Sequence, residues 1–229
     1  MSERLELEGL GARAGSHALL SAVSFDVSRG ETLAIVGPNG AGKTTLLECV
    51  VGLRPHAGVV RYAGTTWSSL AQRAACVAYM PDELRLPDEV NAQSGLLIDE
   101  SPWIDALRVR ELLPRPGHQL SRGEGKRVQL CAALSLQRPV LVLDEPFAAL
   151  DPRQLRDVLP VFRAATRDAA TLVTVHQMRT AELVADRLLL LSEGHAIAQG
   201  SAAELRQRTG LPDGPFEDVF LALLDGVRK

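Results

Sequence analysis

Short apolar runs alternate along this chain with stretches of helical period. Leu5-Glu-Leu-Glu8 alternates and Ala22-Val-Ser-Phe-Asp-Val27 nearly does, which predicts an antiparallel β segment near the start. Glu31-Thr-Leu-Ala-Ile-Val36 is apolar and β-branched without alternation, the pattern of a strand buried on both faces. A helix is expected to open at Thr44 and run to Val51, and Val59–Tyr62 and Ala75–Tyr79 are further short strand candidates. Beyond Pro81, residues Pro87, Gly95, Pro102, Pro114 and Pro116 cut the chain into pieces, so short helices are expected near 89–98 and 103–113. A longer helix is predicted from Ser121 to about Gln137, followed by the strand Val140–Leu143. Then come a helix near 153–167, the strand Thr171–Val175, a helix near 178–185 and the strand Arg187–Leu191, with a turn at Gly194. This order argues for an α/β fold with a mostly parallel sheet. At the tail, Phe216, Val219, Phe220, Leu223 and Leu224 recur at helical spacing, which predicts an amphipathic helix docked on the domain.

Composition narrows the class. A chain of 229 residues, 46% hydrophobic and 23% charged, can bury a full core without staples. A net charge of −3 leaves no electrostatic footprint for nucleic acid, so no nucleic-acid partner is expected. Cys49, Cys76 and Cys131 are odd in number and sit in apolar segments, which suits free buried thiols better than a disulfide or a zinc site. The polar Met-Ser-Glu-Arg-Leu-Glu start predicts no secretory leader, and no apolar run approaches the roughly 20 residues that cross a bilayer.

The candidate chemistry begins at Gly37-Pro38-Asn39-Gly40-Ala41-Gly42-Lys43-Thr44-Thr45, between a predicted strand and a predicted helix. Glycines without a Cβ let such a loop curl and aim its backbone N–H groups at phosphate oxygens. Lys43 is then placed for the terminal phosphates and the Thr44 hydroxyl for Mg²⁺. A second motif, Leu141-Val-Leu-Asp144-Glu145, ends an apolar strand in two carboxylates. Asp144 is suited to the Mg²⁺ shell and Glu145 to orienting or deprotonating a water. Ser121 and Glu124 have the spacing of a capping box, with Ser121 as N-cap of the helix.

Taken in order, the phosphate loop, Leu120-Ser-Arg-Gly-Glu124, Leu141–Glu145, Ala149-Leu-Asp151 and Thr174-Val-His176 resemble the nucleotide-binding subunit of ABC transporters over almost the whole chain. The resemblance implies a P-loop ATPase core with an N-terminal antiparallel β subdomain over 1–81 and 138–212. It further implies an inserted helical subdomain over 82–137 and a C-terminal helix over 213–229. It implies ATP and Mg²⁺ as cofactors and a homodimer or heterodimer of such domains, each ATP closed between the phosphate loop of one and the Ser121 and Gly123 signature of the other. His176 resembles the histidine that contacts the γ-phosphate, and Asp151 the residue that links facing sites. An integral membrane permease as partner, and a cytoplasmic place on the inner membrane face, follow from the same likeness. The ending Phe216–Leu224 is similar to tails of exporter subunits, which points to export. A regulatory subunit with little turnover and a non-transport ATPase of the family are the alternatives.

Three positions depart from the family pattern. Ala14-Gly15 stands where an aromatic-Gly pair usually stacks on adenine, so a weak, base-tolerant grip is expected, with His17 near enough to substitute. Asp82 replaces the glutamine after Tyr-x-Pro, where its carboxylate could serve the metal, and Arg122 replaces a signature glycine. Residues 82, 83, 88, 89, 99, 100 and 105 are acidic against one basic residue, Arg85, which suggests a patch that meets basic loops of the membrane partner.

Overall fold

The computed structural model describes residues 3–83, 87, 90–98 and 100–227. In chain order its first half contains β1 (Arg4–Ala14), β2 (His17–Ser28), β3 (Thr32–Val36), α1 (Lys43–Val51), β4 (Ala57–Tyr62), β5 (Thr65–Thr66), α2 (Leu70–Cys76) and β6 (Val77–Met80). The middle holds α3 (Ala92–Leu96), α4 (Pro102–Ala106) and α5 (Arg122–Ser135). The remainder is β7 (Val140–Leu143), α6 (Pro152–Thr166), β8 (Ala170–Thr174), α7 (Met178–Val184), β9 (Arg187–Ser192), β10 (His195–Gly200), α8 (Ala202–Thr209) and α9 (Phe216–Val227).

Two sheets result. The smaller is antiparallel in the order β2-β1-β4-β5, and the larger runs β10-β9-β3-β8-β7-β6. Within the larger sheet all pairings are parallel except β10 on β9. Its central strands are buried on both sides, and alternate residues feed two separate apolar cores. Ala34 and Val36 of β3 face one core, whereas Leu33 and Ile35 face the other; Leu141 and Leu143 of β7 are split likewise from Val140 and Val142. A strand wetted on neither face has no use for polar alternation, which is why these runs read as continuous hydrophobics. The first core is closed by α5, α6 and α9, and the second by α1 and the antiparallel sheet.

Several expectations shift. The helix expected near 89–98 is observed as Ala92–Leu96, with residues 88 and 89 outside the described set. The one expected over 103–113 stops at Ala106, because Arg108 takes a left-handed φ of 53° that no helix can continue. α5 ends at Ser135, two residues early, before Gln137 at φ 48°. The strand expected from Ala75 begins at Val77, since Ser69 and Gln72 form a capping box that starts α2. Arg73 of α2, only 7% exposed, donates to the carbonyls of Cys49 and Val50 at 2.6 and 3.1 Å and so covers the open C-terminal end of α1. β10 and α8 were not expected at all. The tail helix docks as its spacing suggests: Phe216, Val219 and Phe220 are buried, and Arg206 of α8 lies 5.4 Å over the Phe216 ring.

Candidate nucleotide-binding site

The site grows from the end of β3. Gly37 is buried so close to β9 that an added Cβ would lie 2.1 Å from the Leu191 carbonyl oxygen. Gly42, at φ 101°, is the N-cap of α1 and offers no side-chain cap, so the first N–H groups of α1 are left for an anion. The loop is braced from the far side by the turn between β9 and β10: Gly194 N donates to Ala41 O at 3.0 Å, and Ser21 N to Gly194 O at 2.9 Å. Lys43 lies folded over the loop, with Nζ donating to Gly37 O at 2.8 Å and Pro38 O at 3.3 Å. Burial pulls its pKa below the usual lysine range, while Glu145 and Asp144 oppose that shift.

Opposite the loop stand two buried acids. Asp144 and Glu145 are 1% and 5% exposed, and Glu145 holds a left-handed φ of 50° at the turn beyond β7. Burial pushes the Glu145 carboxyl up to about 7, with Lys43 opposing and Asp144 adding to the rise. The backbone N–H of His176 donates to Glu145 Oε2 at 3.2 Å. His176 Nε2 stands 3.4 Å from Glu145 Oε1 but off hydrogen-bond geometry, so that Oε1 keeps no hydrogen-bond partner among the described residues. Burial, with help from Lys43, lowers the His176 pKa, and the ring is neutral at pH 7.

These groups share one cleft of about 780 Å³, lined by Asn39, Gly40, Ala41, Gly42, Lys43, Thr44, Thr45, Asp82, Asp144, Glu145 and His176. Gly37 lies beneath the loop. His17, Ala18, Leu19, Glu193 and Gly194 complete the wall. Of these His17 was legible in sequence as a neighbour of the missing aromatic, and Gly194 only as a turn; Ala18 and Leu19 come from the start of β2, and Glu193 and Gly194 from the β9–β10 turn, which strand order brings to the loop. Ala14 does not line the cleft.

Ser121, Gly123 and Asp151 do not line it either. Ser121 caps α5, its Oγ accepting from Glu124 N at 3.3 Å while Glu124 Oε2 accepts from Ser121 N at 2.8 Å. Asp151 caps α6, its Oδ1 accepting from Arg153 N and Gln154 N at 2.8 Å. The two caps are packed together, since a Cβ on Gly123 would meet Ala149 O at 2.9 Å. Arg122 is exposed. Asp82 borders the cleft, but Lys126 of α5 already donates to its Oδ1 at 2.8 Å and to its carbonyl at 2.7 Å. The acidic segment is partly neutralised in the same manner, with Asp105 held by Arg110 at 2.8 Å; residues 88, 89 and 99 lie outside the described set.

The residues fit a hard divalent cation. Asp144 Oδ2 is buried with no hydrogen-bond partner among the described residues, and it lines the same cleft as the Thr44 hydroxyl. No cluster of three His, Cys, Asp or Glu side chains that could hold a metal occurs among the described residues. A cation here would therefore complete its octahedron with phosphate and water oxygens, as Mg²⁺ does on nucleotides.

The comparisons agree with this geometry. The family model described as ABC transporter matches residues 20–148. A probable amino-acid ABC transporter ATP-binding protein of Haemophilus influenzae is 30% identical over 221 residues, covering 82% of this chain and 83% of that protein. A hemin import ATP-binding protein of Streptomyces coelicolor is 35% identical over 218 residues, covering 86% of this chain and 78% of that protein. A solved structure of an ATP-binding subunit of an ABC transporter superposes with a TM-score of 0.86 at 26% identity, covering 96% of this chain and 99% of that one. With its α/β fold, its phosphate loop facing two buried acids and these relatives, the chain belongs to the ABC transporter family as an ATP-binding ATPase domain.

Proposed function

We propose that this chain hydrolyses Mg-ATP in a head-to-tail pair with a second copy of itself and drives a separate membrane permease. The observation that carries the pairing is the separation within one chain: the cleft contains Lys43, Asp144, Glu145 and His176, while the exposed Ser121 and the buried Gly123 behind it, at the start of α5, stand outside it. Each copy carries both halves, so two copies make two whole sites by two-fold symmetry. The N-terminus of α5 would then bring N–H groups and the positive end of its dipole to the γ-phosphate held by the partner.

Within the cleft, Lys43 exchanges its loop carbonyls for phosphate oxygens, and the free N–H groups of the loop and of α1 orient the triphosphate. Thr44 and Asp144 would hold Mg²⁺, which when bound neutralises charge on the phosphates. Asp82, its charge met by Lys126, ties the cleft edge to α5. Glu145, with a carboxyl pushed to about 7, is poised to take a proton from the attacking water near neutral pH. Neutral His176 is placed to contact the γ-phosphate and the turn of Glu145.

No helix among the described residues is long and apolar enough to cross a membrane; on the proposed assembly the spans belong to the permease chain, and this chain docks on its cytoplasmic face. The relatives do not select between export and import, since one is named for hemin import and another for Nod factor export.

The base end of the cleft is walled by His17, Ala18 and Leu19 and has no tyrosine, phenylalanine or tryptophan among its lining residues. Nucleotide selectivity should therefore be slight: dissociation constants for ATP and GTP are expected within about threefold, a difference under 1 kcal/mol. Titration of the purified protein with both nucleotides checks this, and a preference for ATP above about thirtyfold would contradict it.

A further inference from the structure

On the reading of this cleft as a hydrolytic site, we propose that Thr174 is a positioning residue whose single hydroxyl fixes Asp144 and Glu145 relative to one another. Thr174 ends β8, the strand beside β7, and is fully buried. Its Oγ1 donates to Asp144 Oδ1 at 2.5 Å and accepts from the backbone N–H of Glu145 at 2.9 Å. A hydroxyl has one proton and two lone pairs, so both bonds form at once through one oxygen. One atom thus sets the side chain of one acid and the main chain of the next.

The main-chain bond matters because of what Glu145 must do. At φ 50° it sits in a conformation that a residue with a Cβ rarely adopts, so neighbouring structure has to hold it there. Two donors and acceptors from the end of β8 do so: Thr174 Oγ1 takes its N–H, and His176 N–H takes its Oε2 at 3.2 Å. Between them the carboxylate is left with Oε1 buried and without a hydrogen bond among the described residues, in a side chain that borders the cleft. Asp144 is treated alike, with Oδ1 held by Thr174 and Oδ2 buried without a partner among the described residues.

β8 supplies its own comparison. Thr171, three residues earlier, is as deeply buried, yet its Oγ1 has no hydrogen-bond partner among the described residues. A buried hydroxyl on this strand is therefore not engaged merely by being there. Packing alone at position 174 would be met by valine, like its neighbours Val173 and Val175, without the desolvation of a hydroxyl.

The test compares Thr174→Val, Thr174→Ser, Thr174→Ala and Thr171→Val in the full chain. In Thr174→Val, kcat for ATP should fall about tenfold or more with KM within about threefold of wild type, because the bonds lost position the reacting groups and do not bind the nucleotide. Serine should restore most of the rate, and Thr171→Val should leave it unchanged. Without nucleotide, amide exchange at Glu145, read by NMR, should accelerate about tenfold in the valine variant and stay near wild type in the serine variant. Should the valine variant fail to fold, alanine against serine makes the same comparison. Unchanged kcat and unchanged Glu145 exchange in the valine or alanine variant of a hydrolysing protein would overturn the role of Thr174. A wild-type protein that turns over no ATP would instead overturn the functional reading on which it rests.

Discussion

Glu145→Gln is expected to reduce ATP turnover by about two to four orders of magnitude and, at the same time, to make the nucleotide-free protein more stable at pH 8. The first effect follows from losing the base. Glutamine keeps the shape and can still accept the His176 N–H, but it cannot take a proton from water, so nucleotide binding should survive. The second follows from where Glu145 sits. Its folded pKa of about 7 lies above the ordinary carboxyl value of 4.5, with burial as the leading cause. A group of this kind adds stability below its unfolded pKa and loses it as pH rises through the folded one. Across pH 4.5 to 7 the wild type should therefore forfeit up to about 3 kcal/mol that the glutamine variant keeps. Urea unfolding at pH 5 and pH 8 measures the difference: near zero at the lower pH and in favour of the variant at the higher. Equal stability at both would show that the carboxyl is not held out of water as the cleft geometry requires.

Gly37→Ala should be the most damaging single methyl in the phosphate loop. The added carbon would lie 2.1 Å from the Leu191 backbone oxygen and 3.1 Å from Ala41 Cβ. The first obstacle is main chain of a central strand and has no rotamer to change, so either the loop leaves β9 or β9 shifts. A cost of about 3 kcal/mol or more is expected, with nucleotide affinity down at least about a hundredfold because the loop amides no longer converge. Gly125→Ala in α5 is the control. Its Cβ would meet nothing within 4 Å, and alanine in a helix interior should raise stability by about 0.5–1 kcal/mol. Chemical denaturation and nucleotide titration of the two variants separate contact from a general intolerance of alanine; similar behaviour in both would contradict the account.

Much of this was legible in the sequence because it is local. A β-branched run, then glycines, then Lys43 and Thr44 define strand, loop and helix within twenty residues, and Ser121 with Glu124 forms the capping box their spacing implies. The adjacent acids at 144 and 145 end a strand as expected. What was missed depends on distant parts meeting. The Gly194 turn braces the loop from more than 150 residues away, Lys126 occupies Asp82 across 44 residues, and Thr174 reaches Asp144 across 30. No period or spacing carries such pairings, since they are set by strand order in the sheet. The short helices of the middle segment erred for another reason: apolar spacing continued beyond Ala106, but a left-handed Arg108 ended the helix. The Ser69 and Gln72 box is a local signal for the start of α2, masked in the sequence by the apolar run that follows.

The central claim is that one chain holds a complete cleft wall but only half of a site, the rest being the start of α5 from a second copy. Light scattering on Glu145→Gln with Mg-ATP tests it most directly, because that variant keeps the nucleotide. The 24.6 kDa chain should run alone without nucleotide and at twice that mass with it, and Ser121→Arg in the same background should remain single while still binding ATP. A 24.6 kDa species saturated with Mg-ATP at high protein concentration would contradict it.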